Sequence, residues 1–202
     1  MKASYVLAAA VAVSALVPLS IALSPYAPQT GGPKLGIYDG VESRIADARD
    51  DAEAVQTGTE VLVRDYHDIL GASVVKRADA FFFTINLAGN PNNSQEYETI
   101  YRWQIITTSP VTNREQQYTI MFPHFATGNS TTDGWYFAVY DETVNTFIVR
   151  PVRIEDMTEN RVEFPVEDFY IGNPSRFSYW VEVLVRLDAS FGGPNHLVDY
   201  AP

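Results

Sequence analysis

The sequence predicts an all-β fold, a single antiparallel β-sandwich of about nine strands. Three observations point there. Apolar residues recur at a period of two, most clearly at Phe81, Phe83, Ile85 and Leu87 and at Phe177, Tyr179, Val181, Val183, Val185 and Leu187. Clusters of Gly, Asn, Asp and Pro separate such stretches at short spacing, which favours antiparallel pairing. Aromatic residues fill 13% of 202 positions, enough for one large core in a chain without cysteine.

At the N-terminus, Lys2 precedes a stretch from Ala3 to Leu23 that is apolar apart from Tyr5, Ser14 and Ser20. Residues 1–22 therefore read as a signal peptide or a membrane anchor. A cut after Ala22 leaves Ser20 and Ala22 at the small-residue positions; uncut, about 20 apolar residues suffice to span a bilayer. Lys2-Ala3 before an apolar run also resembles the class III signals of archaeal pilins, where the apolar segment is kept for filament assembly. Each alternative places the chain from about Ser24 onward outside the cytoplasm. Residues 23–38, with SPYAPQTGGP at their centre, predict a linker or an extended arm, of the kind some filaments donate to a neighbour's sheet.

The sandwich domain is expected over residues 39–202. Two structures compete for 39–58. In one, Asp39 caps a helix with Val41, Ile45, Ala48, Ala52 and Val55 on one face and Gly58 at its end. In the other, residues 45–47 end a strand and Asp47, Asp50, Asp51 and Glu53 form an acidic loop. Clustered carboxylates suit Ca²⁺, which takes several oxygen ligands from flexible loops, so Asp47, Asp50, Asp51 and Asp68 are the candidate metal ligands. Strands are then expected near 60–63, 69–75, 81–87, 97–107, 116–122, 135–140, 147–154, 161–166 and 177–187. Polar residues 76–79 link the second and third as a hairpin.

Several of these pieces, taken together, resemble a known group. Asp47, Asp50 and Asp51, then Tyr66-His67-Asp68-Ile69, Ala72-Ser73-Val74, residues 81–85 with Leu87-Ala88-Gly89, and a closing Val198-Asp199-Tyr200-Ala201-Pro202 resemble exported domains of the DOMON and family 9 carbohydrate-binding superfamily. The resemblance implies a β-sandwich and a sugar-binding, haem-binding or structural role.

Formal charge is −11 (14 basic against 25 acidic residues), which repels a phosphate backbone and sets nucleic acid aside as a partner. The lack of cysteine removes disulfides, zinc–thiolate sites, iron–sulfur clusters and thiol nucleophiles. No nucleophile elbow, phosphate loop, HExxH or Ser-x-x-Lys motif occurs, so no enzyme is expected. His67, His124 and His196 are far apart in sequence and are expected at surfaces or turns. Alternation turns Tyr136, Tyr140 and Trp180 away from the core, where exposed rings could stack on sugars. Asn92 and Asn129 head glycosylation sequons in predicted loops. The expected function is therefore a non-catalytic secreted or cell-surface protein with a structural or adhesive role. The alternatives are a carbohydrate-binding module and a subunit of an extracellular filament. The expected partners are cell-surface components, glycans or copies of itself. Membrane contact is expected only through the N-terminal segment, no cofactor is called for, and Ca²⁺ is the one ion considered.

Overall fold

Alternation sorts the chain into two layers. The computed structural model describes residues 35–52, 62–187 and 196–201, so the signal, anchor and arm expectations up to residue 34 lie outside it. Among the described residues eleven strands occur, in chain order: β1 (Gly36–Tyr38), β2 (Ser43–Ala46), β3 (Ile69–Arg77), β4 (Ala80–Leu87), β5 (Glu98–Thr108), β6 (Glu115–Phe125), β7 (Gly134–Asp141), β8 (Thr146–Arg153), β9 (Arg161–Glu167), β10 (Phe177–Arg186) and β11 (His196–Ala201). Every pairing is antiparallel. One sheet has seven strands in the order β1-β10-β5-β6-β7-β8, with β11 also on β10; the other has four, β2-β3-β4-β9. The two sheets form a sandwich.

β10 holds the large sheet together. It pairs with β5 along its whole length, while its other side is shared by β1 and β11. Phe177, Tyr179, Val181, Val183 and Val185 are buried as their period demands. Opposite them β4 buries Phe81, Phe83, Ile85 and Leu87, and β5 adds Tyr101, Trp103 and Ile105. Rings interlock between the layers: Phe81 meets Phe177 edge-on at 5.3 Å, and Phe83 meets Trp103 at 5.0 Å. Such edge-to-face pairs add about 0.5–1.5 kcal/mol each beyond the area they bury. Phe82, the apolar exception on the outer face of β4, lies half-buried under the Arg77 guanidinium.

Eight of the expected strands are present as β3 to β10, and the additional ones, β1, β2 and β11, are short. The helix expected over 39–58 is not formed in its described part. Ile45 pairs with Ala72 in β2 and β3, and residues 47–52 form an irregular loop. Sheet pairing overrides helix propensity there, because propensity is a weak prior against tertiary contacts. Of the strand expected at 60–63, Leu62 and Val63 are irregular and the rest lies outside the described residues. The β3–β4 link tightens to Ala78–Asp79, since Arg77 already pairs with Ala80.

The two sides of the sandwich differ. On the β10 side, β1 runs against β2 and β11 against β3, so the C-terminal strand touches both layers. On the far side the edge strands β8 and β9 each carry a proline, Pro151 and Pro165.

Candidate metal centre

Three segments distant in sequence meet where β11 crosses to the small sheet. The first is the end of β2. The Asp47 N–H donates to the Leu70 carbonyl at 3.2 Å, anchoring the start of the acidic loop against β3. Gly71 allows this approach: a Cβ there would lie 2.7 Å from the Ile45 carbonyl oxygen, and its φ is +155°. The second segment is the 3-10 turn Asp65–His67, which delivers Asp68 just before β3. The third is β11, where Asp199 is the cross-strand partner of Val183 and so points inward, as Val183 does.

Carboxylate oxygens of Asp47, Asp51 and Asp199 lie within 4.8 Å of one another. Asp68 stands beside them, close enough that its charge opposes ionisation of Asp47 and that the Asp51 charge opposes its own. Asp199 accepts from the Ile69 N–H at 2.6 Å and from the Tyr200 N–H at 2.8 Å. Asp68 Oδ2 accepts from the Asp50 N–H at 2.9 Å, but its Oδ1, in a residue only 3% exposed, has no hydrogen-bond partner among the described residues. Asp47 Oδ2 is likewise buried and unpartnered among them. No Lys or Arg forms an ion pair with Asp47, Asp51, Asp68 or Asp199 among the described residues.

Such crowding has an electrostatic consequence. Burial, then the Asp47 and Asp51 carboxylates, push the Asp199 carboxyl up to about 7. Burial, then Asp51 and Asp68, push Asp47 up to about 6. Burial also raises Asp68. Like charges this close, with orphaned oxygens, ask either for protons or for a cation. The donors are all hard oxygens with no imidazole or thiolate among them, a set that suits Ca²⁺ rather than Zn²⁺ or Cu²⁺.

Of the expected ligands, Asp47 and Asp51 join the group and Asp68 flanks it. Asp50 contributes its backbone N–H, and its carboxylate instead faces Arg49 at 4.0 Å in the open. Asp199 was missed as a ligand. Its one signal is a carboxylate at an inward position of a terminal apolar strand, which has no spacing to betray it.

The expected sugar-stacking residues do share a face, the outer one of the large sheet. Registers put Trp180, Gln104, Thr119 and Tyr140 in one row across β10, β5, β6 and β7. Their rings are poorly presented, however. Tyr136 is 9% and Tyr140 8% exposed, with hydroxyls donated to the Thr132 carbonyl and to Asn145 Oδ1. Trp180 is half-buried, its Nε1 donating to Glu182 at 2.6 Å.

Two of the histidines are buried rather than at the surface, although His67 does lie in a turn. His67 is fully buried, accepting from the Arg64 N–H at Nδ1, and burial holds it down to about 4. His124 is buried against the Trp135 ring at 4.8 Å. The His196 side chain is outside the described residues. Asn92 uses its side chain structurally, donating to the Met157 carbonyl and accepting from Trp135 Nε1, so a glycan on its amide would break a built contact. Asn129 is exposed, and its Oδ1 accepts from Thr131, the hydroxyl residue of its own sequon.

No protein-family model, curated protein or solved structure matches this chain.

Proposed function

We propose that this chain is a non-catalytic, secreted or cell-surface β-sandwich with a structural or adhesive role, in which Ca²⁺ ties the acidic loop to the C-terminal strand. The observation that carries this is the meeting of Asp47, Asp51 and Asp199 beside the orphaned, buried oxygen of Asp68. A cation there neutralises charges that the fold otherwise holds together at a cost, and it joins residues from both ends of the domain. The kinship with DOMON and family 9 carbohydrate-binding domains belongs to the same proposal, supported by the two-sheet architecture.

Thermal melting tests it. At a Ca²⁺ concentration a hundredfold above Kd the native state gains about 2.7 kcal/mol, roughly 5–10 °C in Tm for a domain of this size. Asp68→Asn and Asp47→Asn should each lose most of that gain while still folding. If a chelator leaves Tm unchanged and added Ca²⁺ does nothing to the wild type, the cation role is wrong.

A further inference from the structure

Both sequons fit Asn-x-Ser/Thr, and the fold treats them in opposite ways. The first, Asn92-Asn93-Ser94, is built into the sandwich. Both ends of the Asn92 amide are used, Nδ2 donating to the Met157 carbonyl and Oδ1 accepting from the Trp135 indole N–H, each at 2.6 Å. Its hydroxyl residue, Ser94, is only 7% exposed, and that hydroxyl meets Thr99 Oγ1 at 2.7 Å. The second, Asn129-Ser130-Thr131, stands at the tip of the β6–β7 hairpin, where residues 127–132 are all exposed. Asn129 Nδ2 makes no hydrogen bond among the described residues, while Thr131 donates its hydroxyl to Asn129 Oδ1 at 2.7 Å and its N–H to the same oxygen at 3.1 Å. Acceptor amide and hydroxyl thus lie side by side in the open. The tip also holds itself together. Asp133 accepts from the Thr127 N–H and hydroxyl and from the Gly128 N–H, and the Asn129 carbonyl accepts from the Thr132 and Asp133 N–H groups. All of these bonds are local, so drawing the tip outward breaks no strand pairing, whereas drawing out Asn92 breaks its contacts to β7 and to Met157.

We propose that Asn129, and not Asn92, carries an N-linked saccharide in the folded protein. The proposal rests on the secreted or cell-surface reading, because the donor is a saccharide joined through phosphate to a membrane lipid and is met by exported chains. In the transfer Asn129 Nδ2 attacks the anomeric carbon of that donor. A C–N bond forms as the bond from the anomeric carbon to the phosphate oxygen breaks; the lipid phosphate leaves with the bonding electrons, and the amide nitrogen gives up one proton to a base of the transferase. Such an enzyme must reach the amide nitrogen with a bulky donor and engage the hydroxyl two residues on. A hairpin tip with a free Nδ2 and an exposed Thr131 gives that access. At Asn92 the Met157 carbonyl already occupies the approach to Nδ2, and a saccharide there would leave that carbonyl without its donor.

The test offers the purified, folded full chain to a single-subunit oligosaccharyltransferase that requires only Asn-x-Ser/Thr, together with a lipid-linked oligosaccharide. Intact mass should rise by a single oligosaccharide, and peptide mapping should place it on Asn129. Thr131→Ala should abolish the gain and Thr131→Ser should keep it, with both variants melting as the wild type does. A tryptic digest given to the same enzyme should be modified at Asn92 as well as at Asn129. A folded chain left bare at Asn129, or modified at Asn92 as fast as at Asn129, overturns the proposal. So does a digest in which Asn92 stays bare, since folding would then not be what excludes it. Export is read separately, by fractionating the cells that make the protein. A chain retained in the cytoplasm sinks the secreted reading and this proposal with it, whereas an exported chain with a bare Asn129 sinks this proposal alone.

Discussion

The Asp199 carboxylate accepts a 2.6 Å hydrogen bond from the Ile69 backbone N–H, joining the last strand to the first long one across 130 positions of sequence. The contact places a buried carboxylate among others, so the stability of the fold and the ionisation of this site are linked.

The first prediction concerns pH. Asp199 and Asp47 are pushed up to about 7 and about 6, so the folded state holds protons that the unfolded chain has already released. Stability that depends on those protons is present at acid pH and is lost as pH rises through the folded values. His67 acts with the opposite sign. Its value is held down to about 4, so it contributes stability above its ordinary value of 6.5 that is lost as pH falls. Between about pH 6.5 and about pH 8 the imidazole is neutral in the folded state and sheds its remaining protons in the unfolded one, so its opposing effect fades and Asp199 sets the sign. Metal-free protein should lose about 1 kcal/mol or less across that window, or roughly 1–4 °C in Tm. Asp199→Asn should flatten the slope, and a wild-type Tm independent of pH there would contradict the assignment.

Gly71→Ala probes the approach of β2 to β3. The added methyl meets the Ile45 carbonyl at 2.7 Å, and the backbone sits at φ +155°. A loss of about 2–4 kcal/mol is expected from strain and overpacking. Because β2 leads directly into Asp47, the Ca²⁺-dependent gain in Tm should shrink too. A variant with wild-type stability and full Ca²⁺ response would show that the strand spacing is slack.

Arg102→Leu should cost about 3–5 kcal/mol in denaturant unfolding, since it strands the Glu182 carboxylate, its buried ion-pair partner, in a dry site. The double change Arg102→Leu with Glu182→Leu should recover most of that loss, because two apolar side chains need no counter-ion. If the double variant is as unstable as the single one, the pair is worth more than its desolvation.

Ala78 lies at φ +50° in the β3–β4 turn, a left-handed conformation that costs a residue with a Cβ about 1 kcal/mol. Ala78→Gly should therefore raise Tm by roughly 1–4 °C. A fall in Tm would mean that chain entropy outweighs the relief of strain.

Much of the architecture was legible because burial imposes a period. Val181, Val183 and Val185 could face only one way, and β4 carried the same signature in Phe81, Phe83 and Ile85. The short strands left no such trace. β1 has three residues and β2 four, too few for alternation to register, and they exist because β10 and β3 offer them partners. Helix propensity around Ile45 pointed the other way and lost to that pairing. The acidic loop announced itself as a run of aspartates, whereas Asp199 became visible only once β11 was set beside β10. Period two also turned Tyr136 and Tyr140 away from the inner core correctly. It could not say that they would still be buried, because that depends on what neighbours across the sheet do.

The prolines of β8 and β9 have a consequence for assembly. A fibre that grows by adding strands needs a border with an unbroken ladder of backbone donors, and Pro151 and Pro165 each remove one; β8 is further irregular between Val149 and Val152. Both borders on that side of the sandwich are thus poor templates for an incoming β-segment. If copies of this protein do polymerise, β8 and β9 are not the seams through which they are built to do so.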